Sequence, residues 1–360
     1  MKRKALVLGR GASGKAAAAE LEAQGYEVSF AEGIDLAVAS PGIPVKSELQ
    51  LGVEALRRRG TKLLAVTGSK GKSSVVKLVA DALRLSGARA VPCGNYGTPV
   101  SSVGDCDWAV VEASSFQLET TALPGDAFVA AAILNLQEDH LDRHGSKDVY
   151  HALKKRLCTM AGKTFECKGP DDADALFAGS YFDNGVLKEN ARIAVGLLRE
   201  AGVDDATVRG AFAAFAPLPH RMQRVGVFGG VECIDDSKAT SLAALAAGVE
   251  MAGDSIRLVA GGLPKGDDPK SVLSPLTKRV KKVYLIGVAG ETFAAAWSGA
   301  VDCEICGTME CAVACAMREA RAGETVLLSP GAASFDQFQS FGERGEVFAR
   351  LVKKEGKEKT

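Results

Sequence analysis

Residues 63–83, LLAVTGSKGKSSVVKLVADAL, decide the architecture. An apolar run of strand length enters a glycine loop, and the loop opens a stretch whose apolar residues recur at helical spacing. Strand, loop and helix in that order are the parts of a phosphate cradle. The backbone N–H groups of Gly68, Ser69, Lys70, Gly71, Lys72, Ser73 and Ser74 can point at phosphate oxygens. Lys72 can neutralise the β and γ oxygens, and the Ser73 hydroxyl can complete a magnesium shell. Val66 stands where the longer G-x-x-x-x-G-K-[ST] motif has its first glycine, so the loop is the shorter T-G-S-K-G-K-S form rather than a generic P-loop.

The same alternation continues outward. ALVLG precedes ASGKAAAAELEAQG, and IRLVAGG, KVYLIGV and ETVLLSPG follow later in the chain. Repeated strand, turn and helix units predict an α/β fold with parallel sheets. Turn residues near Gly60–Thr61 and Pro217–Pro219 divide the chain into three expected domains, 1–60, 61–217 and 218–360. The first would be Rossmann-like, the second a P-loop ATPase-like parallel sheet, and the third Rossmann-like again. In the first, Gly9, Gly11 and Gly14 spell G-x-G-x-x-G and Glu32 follows, which on its own is also compatible with a nicotinamide dehydrogenase.

Composition narrows the partners. Of 360 residues, 47% are hydrophobic, and 44 Lys and Arg balance 44 Asp and Glu. No net field recommends nucleic acid or an anionic membrane, so a small-molecule ligand is expected. The apolar run in MKRKALVLG is broken at Gly9, short of a signal peptide or a membrane span, and a cytoplasmic protein is expected. Nine cysteines then read as reduced thiols. Cys303, Cys306, Cys311 and Cys315 have spacings that could hold a metal. However, the alanine-rich stretch TMECAVACAMREARAG favours cysteines as small apolar packing residues.

Two further strands end in polar groups. WAVVEASSFQLE delivers Glu112 to a strand's C-terminal edge, the ligand-facing edge of an open parallel sheet, with Ser114, Ser115 and Gln117 beyond. AAILNLQEDHLDRHG ends in Asn135, Glu138, Asp139, His140, Asp142, Arg143 and His144, and His140 is one of only four histidines. Glu112 and His140 can together offer oxygen and nitrogen donors to ions on ATP phosphates. YHALKKRL reads as a helix with Lys154 on the face of Tyr150.

With these motifs in hand, the chain resembles the Mur ligases. TGSKGKSS, GNYGTPV, VVEASSFQLE, LNLQEDHLDRH, YHALKKRL, LPHRMQRV, DDSKATS, AGGLPKG and LSPGAASFDQF occur in the family's order. SSFQLE together with SPGAASFDQF points to the branch that adds D-glutamate to UDP-N-acetylmuramoyl-L-alanine. The resemblance implies ATP and two Mg2+ ions held by Lys72, Ser73, Glu112, His140 and a carbamylated Lys154. It implies Asn190, Arg221 and Asp236 at the adenine and ribose. Ser13, Gly42, Asn95, Ser115 and Gln117 would serve the muramoyl substrate, and Lys238, Thr240, Lys265, Ser334 and Phe341 the D-glutamate. A monomer acting through an acyl phosphate is expected. The sequence departs from the family in a short N-terminal domain and in LKEN, where Leu187 replaces an asparagine of the family's HNxxN motif. Another amide ligase, such as a folylpolyglutamate synthase, and a noncatalytic nucleotide-binding regulator remain as alternatives.

Overall fold

The computed structural model describes residues 3–32, 45–137 and 141–357. Gly42 and His140 lie outside them. The fold is α/β, and its contacts divide into two compact units, 1–215 and 216–360.

The first unit begins with strands β1 (Arg3–Leu8) and β2 (Tyr26–Ala31), a parallel pair bridged by helix α1 (Ala12–Ala23). The turn between β1 and α1 is tight enough to demand glycine, because a Cβ on Gly14 would stand 2.1 Å from the Gly9 carbonyl oxygen. Helix α2 (Glu48–Arg58) follows, capped by Ser47, whose hydroxyl accepts from the Gln50 N–H. Leu49, Val53 and Leu56 lie three and four residues apart on one face of α2. All are fully buried, in a cluster with Leu63, Ala65, Ala109, Val111 and Phe128. Residues ahead of Gly60 thus help build the core around the central sheet.

That sheet has five parallel strands in the order β4-β5-β3-β6-β7: β3 (Lys62–Thr67), β4 (Ala90–Gly94), β5 (Trp108–Glu112), β6 (Phe128–Ile133) and β7 (Ala161–Glu166). Helix α3 (Lys72–Leu85) follows β3. The central strand β3 is buried on both faces, as its continuous apolar run requires.

In the second unit a six-stranded sheet runs β12-β11-β10-β13-β9-β8. Its strands are β8 (Gln223–Phe228), β9 (Val231–Asp235), β10 (Ile256–Gly261), β11 (Val280–Ile286), β12 (Asp302–Gly307) and β13 (Thr325–Leu328). Only the β8–β9 pair is antiparallel, joined by Gly229 and Gly230, both at positive φ as the favoured two-residue hairpin turn needs. Apolar clusters cover the two faces of this sheet.

Replacing Leu56 by Ala removes a fully buried side chain from the central core. It is expected to destabilise the first unit by about 3 kcal/mol. Urea unfolding followed through Trp108 checks this, and an unchanged midpoint would mean that α2 is not part of that core.

Candidate active site

The loop after β3 is held by its neighbours rather than by itself. Gly68 has φ +144° and Gly71 φ +81°, conformations that side chains rarely adopt. At Gly71 a Cβ would also stand 2.3 Å from the Asn190 amide nitrogen. Asn135 brackets the loop, its side chain accepting from Lys70 N at 2.8 Å and donating to Lys70 O at 3.0 Å. Ser69 donates its N–H to Asn135 O, and its hydroxyl both donates to Gln137 O and accepts from Gln137 N. Asn190, 4% exposed, accepts from Asn135 at 3.4 Å. The sequence-predicted loop, Gly68–Ser74, and Asn190 are therefore brought together.

Helix α6 (Lys147–Lys155) places Lys154 against the same loop, whereas Lys155 is exposed. Lys154 is 1% exposed, with its Nζ 4.3 Å from the centre of the Tyr150 ring. Its Nζ donates to Gly68 O at 3.0 Å, and the Lys72 Nζ donates to the same oxygen at 2.8 Å. Two ammonium groups on one carbonyl lie no more than about 6 Å apart. At an effective dielectric of about 20 their repulsion is about 3 kcal/mol or more. Such a site favours anions.

A carboxylate closes the neighbouring strand. Glu112 ends β5 beside Val66 of β3 and is 2% exposed. Its Oε1 accepts from Asn95 Nδ2 at 2.8 Å, while Oε2 is buried with no hydrogen-bond partner among the described residues. A buried, unsatisfied carboxylate oxygen is costly unless a cation meets it, and the donor set, carboxylate oxygen beside a hydroxyl-bearing phosphate loop, is of the type that magnesium takes. Asn95 therefore orients Glu112.

Three residues expected at the muramoyl substrate have local partners: Asn95 through Glu112, as above, and Gln117 and Ser115. Gln117 forms a capping box with Ser114 at the start of helix α4 (Ser115–Glu119). Ser115 is buried and its hydroxyl meets His144 Nε2 at 3.0 Å. Ser13 is exposed on α1, and Gly42 and His140 fall outside the described residues.

In the second unit the loops after β9, β10 and β13 converge. Leu263 and Ala333 exchange both backbone hydrogen bonds, bringing the Lys265 loop beside Ser334. Lys265 Nζ donates to Thr240 Oγ1 at 3.4 Å, and Lys238 Nζ lies 4.0 Å from the centre of the Phe341 ring. Arg344, fully buried, ties the loop after β9 to the loop after β13. It donates to Ser237 Oγ and O and to the carbonyls of Ala332 and Ala333. Burial pushes its guanidinium down to about 10, still charged at neutral pH. Sequence reading passed over Arg344, since one arginine in a helix carries no signal. Asp236 is likewise anchored inside, accepting from Ser329 Oγ and Met222 N, and Arg221 is close enough to stabilise its charge. Burial nevertheless pushes the Asp236 carboxyl up to about 7. Its neighbour Asp235 meets His220 Nδ1 at 2.6 Å.

Sequence comparison supplies the family. Residues 66–166 match the Mur ligase middle domain, and residues 220–331 match the "Mur ligase, glutamate ligase domain". A UDP-N-acetylmuramoylalanine--D-glutamate ligase of Nitratidesulfovibrio vulgaris (strain DP4) is 35% identical over 343 residues, covering 87% of this chain and 77% of that protein. The chain belongs to the Mur ligase family. The protein of the same name from Acidobacterium capsulatum is 32% identical, covering 97% of this chain and 96% of its own. That alignment extends over 451 positions, so the 360 residues here match it with interruptions. Among solved structures, the fold is similar to MurF ligase from Thermotoga maritima in complex with ADP, with TM-score 0.66, 15% identity and coverage of 100% and 96%. It is also similar to a folylpolyglutamate synthase/dihydrofolate synthase from Yersinia pestis complexed with AMPPNP and Mn, with TM-score 0.58, 17% identity and coverage of 87% and 95%.

The raised Asp236 carboxyl gives a pH prediction. The folded state keeps this proton up to about 7, whereas the unfolded chain releases it near 4. Its contribution to stability is therefore complete below about pH 4 and is lost as pH rises towards 7. Asp236→Asn should flatten the pH dependence of unfolding free energy across that window. Parallel curves for the two proteins would contradict the assignment.

Proposed function

We propose that the protein is an ATP-dependent ligase that joins D-glutamate to UDP-N-acetylmuramoyl-L-alanine in the synthesis of peptidoglycan precursors, releasing ADP and phosphate. The observation that carries this reading is the set around the Gly68 carbonyl, half-buried Lys72 and buried Lys154, with buried Glu112 on the neighbouring strand, in a chain whose relatives bear that activity in their names. Residues 1–60 would bind the UDP-substrate, 61–217 ATP, and 218–360 the amino acid.

In this reading the loop Gly68–Ser74 holds the phosphates through backbone N–H groups, and Lys72 leaves the Gly68 carbonyl for the β and γ oxygens. Asn190 would lie at the nucleoside end with Arg221 and Asp236. Glu112, held by Asn95, together with Ser73 and His140, would bind magnesium, which when bound offsets phosphate charge and orients the γ-phosphoryl group. Lys154 would be a carbamate. Carbon dioxide adds to a neutral amine with loss of a proton, and the product replaces one of two crowded cations by an anion.

The alanyl carboxylate of the substrate attacks the γ-phosphorus and ADP leaves, giving an acyl phosphate. The amine of D-glutamate then attacks the acyl carbon, and the tetrahedral adduct expels phosphate as the nitrogen loses its proton. Positioning and charge neutralisation supply the rate. The dicarboxylate of D-glutamate would be met by Lys265, Thr240 and Ser334, with Lys238 and Phe341 beside it, since a cation and hydroxyl donors suit carboxylates. A soluble cytoplasmic monomer acting without nucleic acid or membrane fits this chemistry. Among the described residues no helix is long and apolar enough to cross a membrane.

ADP release by the purified protein with UDP-N-acetylmuramoyl-L-alanine and a panel of amino acids tests the proposal. D-Glutamate should support turnover, and L-glutamate and meso-diaminopimelate should not. Equal turnover with L-glutamate would sink the substrate assignment. Lys154→Ala should lower kcat by at least about 100-fold, with partial recovery when formate or acetate is added, while Lys155→Ala stays near normal. A fully active Lys154→Ala protein would remove the carbamate from the mechanism.

A further inference from the structure

The edge strand β12 separates the cysteines that the sequence spaces together. Cys303 faces the apolar cluster that includes Phe293 and Trp297, whereas Cys306 faces the cluster of Met309 and Val313 on the opposite side of the sheet. After Cys306 the chain turns at Gly307, φ +76°, and enters the helix Met309–Glu319, which Thr308 caps through Cys311 N. Cys311 and Cys315 are four residues apart and so share one face of that helix. The result is a cluster of three thiols, Cys306, Cys311 and Cys315, with all Sγ atoms within 4.8 Å of one another.

Packing does not account for the cluster, because Cys311 is exposed and gains little from an apolar partner. The arrangement does suit a thiophilic ion. With Zn–S bonds of about 2.3 Å, tetrahedral geometry places sulfurs about 3.8 Å apart. These pairs would close by about 1 Å or less, which thiol rotation supplies. A fourth donor is at hand. Glu304 lies two residues before Cys306, on the same side of β12, and would reach the ion by turning its carboxylate from Lys282. Compensating cations are also present: Arg318 donates to Cys315 Sγ at 3.3 Å, and Lys282 pairs with Glu304 at 2.7 Å.

We propose that Cys306, Cys311 and Cys315, completed by Glu304, bind one zinc ion. Three thiolates and one carboxylate on a divalent ion leave two negative charges, which Arg318 and Lys282 balance. All four positions would be filled by protein, so the role is structural. It staples the open edge of the second unit's sheet to the helix Met309–Glu319. The inference is independent of the ligase reading, since none of its residues belongs to the ATP or amino-acid set.

The full-length protein, reduced and free of nucleotide, is incubated with one equivalent of zinc, dialysed and analysed for metal content. In parallel it is titrated with cobalt(II), which reports thiolate ligation by a charge-transfer absorption. One zinc per chain is expected, with a thiolate–cobalt band and a higher Tm. Cys311→Ser, at an exposed position, should abolish the band and weaken zinc binding by more than about 10-fold, and Glu304→Gln should also weaken it. Cys303→Ser should bind as the parent does. Failure to retain zinc, undiminished binding by Cys311→Ser, or loss of binding in Cys303→Ser would each overturn the proposal. So would a Cys306–Cys311 disulfide, found by mass spectrometry, that forms in place of metal binding.

Discussion

Two lysine ammonium groups share the carbonyl oxygen of Gly68, and the first unit is organised around that contact. Lys72 reaches it from the loop's own helix, and Lys154, 86 residues beyond Gly68 in the chain, from α6. The contact is possible because Gly68 and Gly71 take backbone angles that free the loop's carbonyls and N–H groups to face inward. It brings two like charges close together. In the proposed reaction, phosphate oxygens would relieve the crowding from one side and carbamylation of Lys154 from the other. A loop that stores cationic charge and is rigidly bracketed by Asn135 and Asn190 is thus prepared for a polyanion before one arrives.

The second unit solves a different problem with a similar device. Its loops after β9, β10 and β13 follow three separate strands. Arg344 supplies the link, its planar donors meeting carbonyls of two loops and a serine hydroxyl at once. The loop of Lys265 joins them through the backbone pair Leu263–Ala333, which sets Lys265 near Thr240.

Much of this was legible in the sequence. Central strands such as β3, β5, β10 and β13 are continuous apolar runs, because both faces are buried, and they stand out without any partner. The edge strands β4, β7, β8 and β12 did not, since AGKTFE or QRVGVF mixes polar and apolar residues as a half-exposed strand does. Lys72, Glu112 and Lys154 were readable from motif order. The local engagements of Gln117 and Ser115 were not, because a capping box and a hydroxyl–imidazole contact form only once the neighbouring turn is in place. Spacing likewise grouped Cys303 with Cys306, and only the two faces of a strand could separate them.

The central claim is that ATP energy passes through an acyl phosphate rather than through simple hydrolysis. Oxygen tracing tests it most directly. UDP-N-acetylmuramoyl-L-alanine labelled with 18O in its alanyl carboxylate is turned over with ATP and D-glutamate, and the released phosphate is analysed by mass spectrometry. The account predicts that one 18O atom moves from the carboxylate into each phosphate formed with product. Unlabelled phosphate released in step with product would contradict it.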